Sequence, residues 1–400
     1  MESYRLAYSS WDSTEVNAIQ DLVDKQRFTM GEAVAIFEQQ FAQKFKRRFA
    51  VMVNSGSSAN LLAIAALCYK KEDALEPGDE VIVPSLSWST TYYPIHQYNL
   101  SLVFVDISKR TLNIDISQLE DALSSKTRAI FVPNILGNPA PLTELQIFCQ
   151  QHNLYLIEDN CESMGALLDG QYTGTFGICS TFSTFFSHHI CTMEGGLVLT
   201  DDEEIYHLLL CLRSHGWTRH LPEQNRLCNK AKDPFYESFR FILPGYNVRP
   251  LEISGAIGTQ QLKKLDNFIK VRRENAAYFQ ALFKDDENFY LQQENGQSSW
   301  FGFSLLLREE CNIDREKFIE ILQKANIEVR PVISGNFLRN EVVKYLSYRV
   351  VGTHDNSEYV HEKGFFVGNH HFDIRKFLDH LKETVNELIF DMYSNLRIVT

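Results

Sequence analysis

Between residues 50 and 159 the chain alternates short apolar runs with longer helical segments, and this alternation constrains the fold more than any other sequence feature. The apolar runs cover 50–53, 80–84, 101–106, 129–133 and 155–159. Each has the length of one strand and is almost continuously apolar, as expected for strands buried on both faces. Repeated strand–helix units of this kind predict an α/β fold with a parallel sheet covered by helices on both faces.

Further elements are predicted outside this alternating region. Capping residues and helical periodicity predict helices at 10–23, 31–45, 202–212, 250–284, 314–325 and 373–395, and apolar runs predict strands at 196–200 and 300–307. The aromatic-rich connection 216–247 has little periodicity, and long connections in compact proteins are usually functional. We therefore predict a large ligand-binding domain with N-terminal helices over 1–250, and a linking helix with a smaller α+β domain over 251–400.

The composition argues against several classes of partner. A formal net charge of -12 disfavours general binding to nucleic acids or to anionic membranes. No stretch has the apolar length of a membrane span, and the first residues lack the pattern of a signal peptide. The 8 cysteines contain no CxxC or CxC pair, which favours reduced thiols. We expect a soluble, cytoplasmic protein that binds neither nucleic acid nor membrane.

Two candidate ligand-binding positions follow predicted strands. The turn Ser-Gly-Ser-Ser-Ala-Asn at 55–60 begins a helix, and its small residues Gly56 and Ser57 would let a phosphate approach the free amides of the helix start. Such a turn, taken alone, is more often structural. Asp159 ends a strand at the edge where parallel sheets bind ligands, although a helix-capping role explains it equally well.

Two other residues have a functional and a structural interpretation. Trp88 lies in the turn after the second strand, where it could stack on an aromatic ring or belong to the core. Asn247 lies in Gly-Tyr-Asn-Val-Arg-Pro, directly before the long helix that starts at Pro250. A ligand contact and a helix cap are equally consistent with that position.

The stretch 181–196, Thr-Phe-Ser-Thr-Phe-Phe-Ser-His-His-Ile-Cys-Thr-Met-Glu-Gly-Gly, resembles the cofactor-lysine segment of the DegT/DnrJ/EryC/StrS sugar aminotransferase family. There a serine, a lysine and a Glu-Gly-Gly sequence hold pyridoxal 5'-phosphate (PLP). His188 occupies the lysine position, six residues before Glu194, and no lysine occurs between Lys126 and Lys230. The resemblance implies an aspartate-aminotransferase-like large domain (PLP fold type I) with a mostly parallel sheet.

The resemblance also implies roles for the residues singled out above. Residues implied to contact the cofactor are Gly56, Ser57, Trp88, Asp159, Glu162, Ser183 and Asn247. Asp159 would face the ring nitrogen, because a protonated pyridine is the electron sink of PLP chemistry. Glu162 would lie next to the ring hydroxyl, and Asn247 would reach the phosphate of the neighbouring subunit. The protein would then be a homodimer with shared active sites.

Histidine at position 188 predicts different chemistry from that of a lysine. An imidazole forms no stable Schiff base, but it can remove a proton near neutral pH. His188 is therefore predicted to be the catalytic base, with the cofactor bound non-covalently. His189 is the less favoured alternative, because the spacing to Glu194 matches His188. If pyridoxamine 5'-phosphate joins a substrate ketone, proton removal can expel a neighbouring hydroxyl, which gives dehydration instead of amination.

Segments at 187–189, 214–219, 243–252 and 365–370 resemble a branch of the family that removes the carbon-3 hydroxyl of a GDP-linked 4-keto-6-deoxy sugar. This resemblance implies a GDP-sugar substrate, L-glutamate as amino donor, and a dideoxy sugar and ammonia as products. Residues implied to bind substrate or glutamate are Ser187, His215, Arg219, Arg330 and Asn369. Related CDP-sugar dehydratases carry a [2Fe-2S] cluster with a CxC pair, so no iron–sulfur cluster and no metal are expected here.

Two rival interpretations remain at this point. The chain could be a sugar-nucleotide 4-aminotransferase with an unusual base, or a catalytically inactive PLP-binding regulatory protein. The presence of Asp159, Ser183 and Glu194-Gly-Gly argues against a decayed site. Free ammonia and a deoxygenated sugar would distinguish a dehydratase from both rivals.

Overall fold

The computed structural model describes residues 3–311 and 314–396. The helices are α1 Ser13–Asp24, α2 Glu32–Lys44, α3 Gly56–Cys68, α4 Ser89–Gln97, α5 Leu142–His152, α6 Glu203–Leu212, α7 Pro234–Glu237, α8 Glu252–Phe283, α9 Arg315–Lys324, α10 Asp355–Lys363 and α11 Arg375–Leu396. The strands are β1 Phe49–Val53, β2 Glu80–Pro84, β3 Ser101–Val105, β4 Thr127–Pro133, β5 Tyr155–Asp159, β6 Leu167–Leu168, β7 Gln171–Tyr172, β8 Cys179–Ser183, β9 Gly196–Thr200, β10 Phe289–Leu291, β11 Gly302–Leu307, β12 Tyr348–Val350 and β13 Gly364–Gly368.

The large sheet has eight strands in the order β1-β9-β8-β5-β4-β2-β3-β12. β9 runs antiparallel to both of its neighbours, and the other pairs in the sheet are parallel. The predicted α/β class with a mostly parallel sheet is therefore confirmed. Strand 196–200 departs from the parallel pattern because a loop joins it directly to β8, without the crossover helix that a parallel partner requires.

The continuously apolar strands have two buried faces. In β2, Val81 and Val83 pack into an apolar cluster that includes α3. Ile82, which points the other way, joins Val103 and Ile130 in a cluster that includes α5. Because successive side chains point to opposite faces, both faces of these strands require apolar residues, and the alternating pattern of a half-exposed strand is absent.

The C-terminal part of the chain forms a smaller antiparallel sheet in the order β10-β11-β13. Its core includes Phe279 of α8 stacked on Phe303 of β11, with ring centroids 4.4 Å apart. Tyr4 from the N-terminal segment is buried in the same cluster, and β12 pairs with β3 of the large sheet. The chain thus crosses between the two sheets more than once, and a domain division at residue 250 stays a prediction.

The connection over 216–247 contains one short 3-10 turn, Thr218–His220, and the single-turn helix α7. Four of its aromatic side chains are largely exposed, namely Phe235, Tyr236, Phe239 and Phe241. These four side chains therefore lie on the surface of this chain.

Within the described ranges, no helix combines the length and the apolar character needed to cross a bilayer.

Candidate active site

A cavity of about 350 Å³ lies at the carboxyl edge of the large sheet, where α/β sheets place their ligands. Nine of the thirteen predicted site residues line it: Gly56, Ser57, Trp88, Asp159, Glu162, Ser183, Ser187, His188 and Arg330. They come from the turns after several different strands, together with one residue of the C-terminal part. The fold therefore gathers in one place residues that are up to 274 positions apart in the sequence (330 minus 56).

The turn after β1 forms a cradle suited to a phosphate. The Ser55 side chain caps α3 by accepting a hydrogen bond from the Ser58 amide at 3.1 Å. The amides of Gly56 and Ser57 open the helix and have no acceptor within it. A side chain at position 56 would place its Cβ 2.7 Å from Cβ of Ser183, so glycine leaves the space in which an anion can meet both amides.

The Glu-Gly-Gly sequence brings β9 close to this cradle. A Cβ at Gly196 would lie 2.4 Å from the carbonyl oxygen of Ser55, and one at Gly195 would lie 2.4 Å from the hydroxyls of Thr184 and Thr192. Neither position has room for a side chain. The two glycines thus allow the returning strand to pack directly against the turn that starts α3.

Asp159 is held as a buried hydrogen-bond acceptor at the end of β5. Its Oδ2 accepts from Nδ2 of Asn60 and Oγ1 of Thr91, each at 2.9 Å, and its Oδ1 accepts from the Cys161 amide at 3.1 Å. The sequence interpretation did not include Asn60 and Thr91. Their spacing in the sequence could have indicated that they face the site. Asn60 follows Gly56 by four residues and Thr91 follows Trp88 by three, which places each pair on one helix face.

Trp88 lies at the start of α4 and lines the cavity. Its side chain is 58% exposed, so it is not a core residue. A tryptophan exposed at a cavity wall offers a flat apolar surface to an aromatic ligand ring. Together with Asp159 and the α3 cradle, the site provides a stacking surface, a carboxylate and a phosphate pocket, which are the three contacts that a pyridoxal phosphate needs.

His188 has one ring nitrogen fixed and the other available. Nδ1 lies 2.7 Å from the carbonyl oxygen of Cys161, and since a carbonyl only accepts, Nδ1 carries the proton of the neutral ring. The Phe301 ring packs against the imidazole at a centroid distance of 5.2 Å. Burial lowers the pKa of His188 to about 4, although the Cys161 carbonyl and Asp159 act to raise it. At neutral pH the free Nε2 is therefore an unprotonated base.

His189 points away from this space. Its side chain is 1% exposed, and Nε2 lies 3.2 Å from the carbonyl oxygen of Ser299. Burial, followed by the charge of Arg272, lowers the pKa of His189 well below its ordinary value. Because the cavity lining includes His188 and not His189, the geometry favours His188 as the base.

Glu162 presents its carboxyl group to the cavity. Its Oε2 accepts a hydrogen bond from the Leu136 amide at 2.9 Å. Burial raises the pKa of Glu162 to about 8, and the negative charge of Asp159 adds to the increase. At neutral pH this side chain can therefore donate a hydrogen bond, in contrast to an ordinary surface glutamate.

Three predicted site residues lie outside the cavity of their own chain. The rings of His215 and Trp217 are in edge contact, with centroids 4.9 Å apart, and the Arg219 guanidinium lies 5.9 Å from the Trp217 ring centroid. Oδ1 of Asn247 accepts from Nε of Arg249 at 3.0 Å. These residues form a separate cluster next to the exposed aromatic segment. None of the three lines the cavity of its own chain.

Asn369 also lies away from the cavity. It is buried, and its Nδ2 donates to the carbonyl oxygens of Arg272 at 3.0 Å and Trp300 at 2.8 Å. The side chain holds the backbone at the junction between α8 and β11. The implied ligand contact of Asn369 stays a prediction.

Comparison with known proteins places this geometry in a family. The model of the DegT/DnrJ/EryC1/StrS aminotransferase family matches residues 9–371. The chain belongs to this family. It is 53% identical over 387 residues to GDP-4-keto-6-deoxy-D-mannose 3-dehydratase of Escherichia coli O55:H7 (strain CB9615 / EPEC), across 96% of this chain and 100% of that protein.

Two solved structures of GDP-4-keto-6-deoxymannose-3-dehydratase resemble this family member over nearly its whole length. One contains a trapped PLP-glutamate geminal diamine, and the other is a mutant with bound GDP-perosamine. Each has a TM-score of 0.94 and 53% identity, and covers 95% of this chain and 99% of the solved chain. The predicted PLP fold and membership of the family are thereby confirmed.

Changing Gly56 to alanine is expected to weaken PLP binding by about tenfold or more, a free-energy change of about 1.4 kcal/mol. The new Cβ would lie 2.7 Å from Cβ of Ser183 and 3.0 Å from Sγ of Cys161, so the phosphate pocket must distort. Fluorescence titration with PLP measures the effect, and circular dichroism verifies folding. An unchanged dissociation constant in a folded Gly56→Ala protein would contradict the cradle.

Proposed function

We propose that this protein is a PLP-dependent 3-dehydratase that removes the carbon-3 hydroxyl of GDP-4-keto-6-deoxy-D-mannose, with L-glutamate as amino donor. The observation that carries the proposal is His188 in the cavity wall, with its Nδ1 bound to the Cys161 carbonyl and its Nε2 free, at the position of the family's lysine. The relative that is 53% identical over nearly the whole chain is named for this reaction. The products are GDP-4-keto-3,6-dideoxymannose and ammonia.

The residues of the cavity divide the work between binding and proton transfer. The α3 amides and Ser183 would hold the phosphate, Trp88 would cover one face of the ring, and Asp159 would keep the ring nitrogen protonated. When bound, the cofactor supplies an electron sink and, in its pyridoxamine form, an amine that joins the sugar ketone. Glu162 donates a hydrogen bond towards the ring hydroxyl. Nε2 of His188 accepts the proton whose removal drives loss of the sugar hydroxyl.

The side chain at position 188 decides between dehydration and amination. A lysine would bind the cofactor covalently and return the proton to the substrate, which completes a transamination. In the described part of the chain, none of the cavity-lining residues is a lysine. His188 could therefore take up the proton, but unlike a lysine it could not form an imine with the cofactor, so water would release the amino group from the sugar as ammonia and leave the ketone.

We further propose that the active protein is a symmetric dimer with shared sites, working in the cytoplasm, where free thiols and sugar nucleotides occur together. Support comes from the position of Asn247, His215 and Arg219 outside their own cavity, beside exposed aromatic side chains. In a two-fold dimer such a surface can reach the cavity of the neighbouring chain. Ser187 and Arg330 would then complete the substrate pocket from within the chain.

Shared sites predict that two defective chains rescue each other. A purified mixed dimer of one His188→Gln chain and one Asn247→Ala chain should contain one intact site and show about half of the wild-type activity. Each variant alone should be nearly inactive. A mixed dimer that is as inactive as the two parents would show that Asn247 does not act across the interface.

The proposed reaction is tested by mass spectrometry of GDP-4-keto-6-deoxymannose incubated with the protein, PLP and glutamate. We expect a sugar that has lost one oxygen, together with ammonia and 2-oxoglutarate. An aminated sugar would instead identify a 4-aminotransferase. Bound PLP with no change in this or other 4-keto sugar nucleotides would identify an inactive PLP-binding protein.

A further inference from the structure

Trp300 holds an unfavourable backbone conformation directly before the residue that packs on His188. Its φ angle is +46°, in the left-handed region that bulky side chains rarely adopt. The side chain is buried in the core of the smaller sheet. Such a conformation persists only where neighbouring groups impose it, so the contacts around Trp300 identify what fixes the turn.

The turn at 300–301 accepts hydrogen bonds from Asn369, whose Nδ2 donates to the Trp300 carbonyl oxygen at 2.8 Å, and from Arg272 of α8. Nη1 of Arg272 donates to the carbonyl oxygens of Asn369 at 2.6 Å, Phe301 at 3.3 Å and Trp300 at 3.4 Å. The side chain is only 4% exposed, and among the described residues it has no carboxylate partner within ion-pair distance. A buried cation satisfied only by carbonyl groups is costly. The arrangement is therefore specific, and it converges on the turn at 300–301.

The turn at 300–301 contacts or orients two side chains of the cavity, His188 and Glu162. The Phe301 ring packs on the His188 imidazole at 5.2 Å. The Phe301 amide donates to the carbonyl oxygen of Leu136 at 2.9 Å, and the Leu136 amide donates to Glu162 at 2.9 Å. A displacement of this turn would therefore move both the Phe301 ring that packs on His188 and the Leu136 amide that donates to Glu162.

We propose that Arg272 is a positioning residue, which clamps the strained Trp300–Phe301 turn so that His188 and Glu162 keep their working orientations. This role rests on the proposed dehydratase function, because Arg272 would act through His188, the base of that reaction. Arg272 itself does not line the cavity.

The charge of Arg272 adds an electrostatic signature to the clamp. Charged or titratable groups around His188 are Asp159, Cys161, Glu162, His189, Glu194, Arg272 and Arg330. Burial lowers the pKa of His188 most, the Cys161 carbonyl and Asp159 raise it, and Arg272 makes the smallest contribution, which lowers it. Removal of the guanidinium should therefore raise the pKa of His188, and a lysine at this position should preserve the low value.

Three variants separate the clamp from general stability. Arg272→Met removes the charge and the hydrogen bonds, whereas Arg272→Lys keeps the charge but loses the guanidinium, whose Nη1 makes all three hydrogen bonds. Arg273→Met is the matched control, because Arg273 also binds carbonyl groups, those of Ser298, Gln297 and Gly165, but none at the 300–301 turn.

The first measurement uses diethyl pyrocarbonate, which modifies neutral imidazoles, on the whole protein without cofactor or substrate. Fragment mass spectrometry follows the modification of His188 between pH 4 and 8. We expect the apparent pKa of His188 to rise in Arg272→Met and to stay at the wild-type value in Arg272→Lys and Arg273→Met. A wild-type profile in folded Arg272→Met would overturn the electrostatic part of the clamp.

The second measurement is steady-state kinetics with GDP-4-keto-6-deoxymannose. Arg272→Met and Arg272→Lys should lower kcat by about tenfold or more, with KM within about threefold, because the base is misplaced while substrate contacts remain. Arg273→Met should keep kcat within about twofold of wild type. Equal losses in Arg272 and Arg273 variants would overturn the proposal, as would full kcat in Arg272→Lys.

The two measurements also separate this inference from the proposed function. If Arg272→Met does not fold, the kcat of Arg272→Lys decides whether catalysis needs the guanidinium group at position 272. If the wild-type protein does not dehydrate the sugar, the proposed function fails by itself. The modification profile of His188 still tests the clamp, because it requires neither cofactor nor turnover.

Discussion

Replacing His188 with glutamine is expected to lower the rate of dehydration by about 10²–10⁴-fold, the range that a general base contributes. Glutamine has a similar length, and its side-chain amide can still donate to the Cys161 carbonyl that now accepts from Nδ1. It offers no basic atom to the cavity. Ammonia release in the presence of glutamate and GDP-4-keto-6-deoxymannose measures the loss.

Binding of the cofactor should survive this substitution, because the phosphate and ring contacts come from other residues. A PLP titration of His188→Gln should therefore give nearly the wild-type dissociation constant. His96→Gln is a suitable control, since His96 is exposed on α4 and does not line the cavity. A His188→Gln protein that retains more than about a tenth of the wild-type rate would fall outside the range for a base and exclude that role.

Changing Asp159 to asparagine is expected to weaken PLP binding by about 10–100-fold, since a hydrogen bond to a charged group contributes about 1.5–3 kcal/mol. The rate should fall further, because a neutral amide does not keep the pyridine nitrogen protonated and the electron sink is lost. The new amide would also meet the donors of Asn60 and Thr91 at the Oδ2 position. Absorbance titration and single-turnover ammonia release report the two losses separately.

Asp106 provides a matched control for Asp159. It is also a buried aspartate directly after a parallel strand, but it accepts the amides of Asn356 and Ser357 at 2.8 and 2.9 Å instead of facing the cavity. Asp106→Asn should lower the unfolding midpoint while PLP affinity stays within about twofold. If both variants lose PLP equally, Asp159 is a structural residue and not a partner of the ring nitrogen.

The sequence predicted most of the large sheet, because strands buried on both faces must be apolar throughout, and that pattern is visible without a structure. The direction of β9 was not visible. A short apolar strand reads the same in either direction, and only the direct loop from β8 makes it antiparallel. The same limit applies to β12, whose three residues Tyr348–Val350 are too few for a period.

The candidate site was predictable where a residue's position in a strand–turn unit determined its location. Asp159 and Gly56 are examples, because the carboxyl ends of parallel strands meet at one edge. The contacts that tune the site were not predictable. His188 is oriented by the Cys161 carbonyl, and Glu162 by the Leu136 amide. Backbone groups occur at every position, so such contacts leave no sequence signal.

The pairing of β12 with β3 has a consequence for synthesis of the chain. β3 is an apolar strand, and its outer edge is covered by residues that follow it by 246 positions (348 minus 102, 349 minus 103, 350 minus 104). At about 5–20 residues per second, that edge stays open on the ribosome for about 12 to 50 seconds. An uncovered apolar edge strand is a template for intermolecular pairing. Truncation before residue 348 is therefore a route to aggregation, whatever the state of the cofactor site.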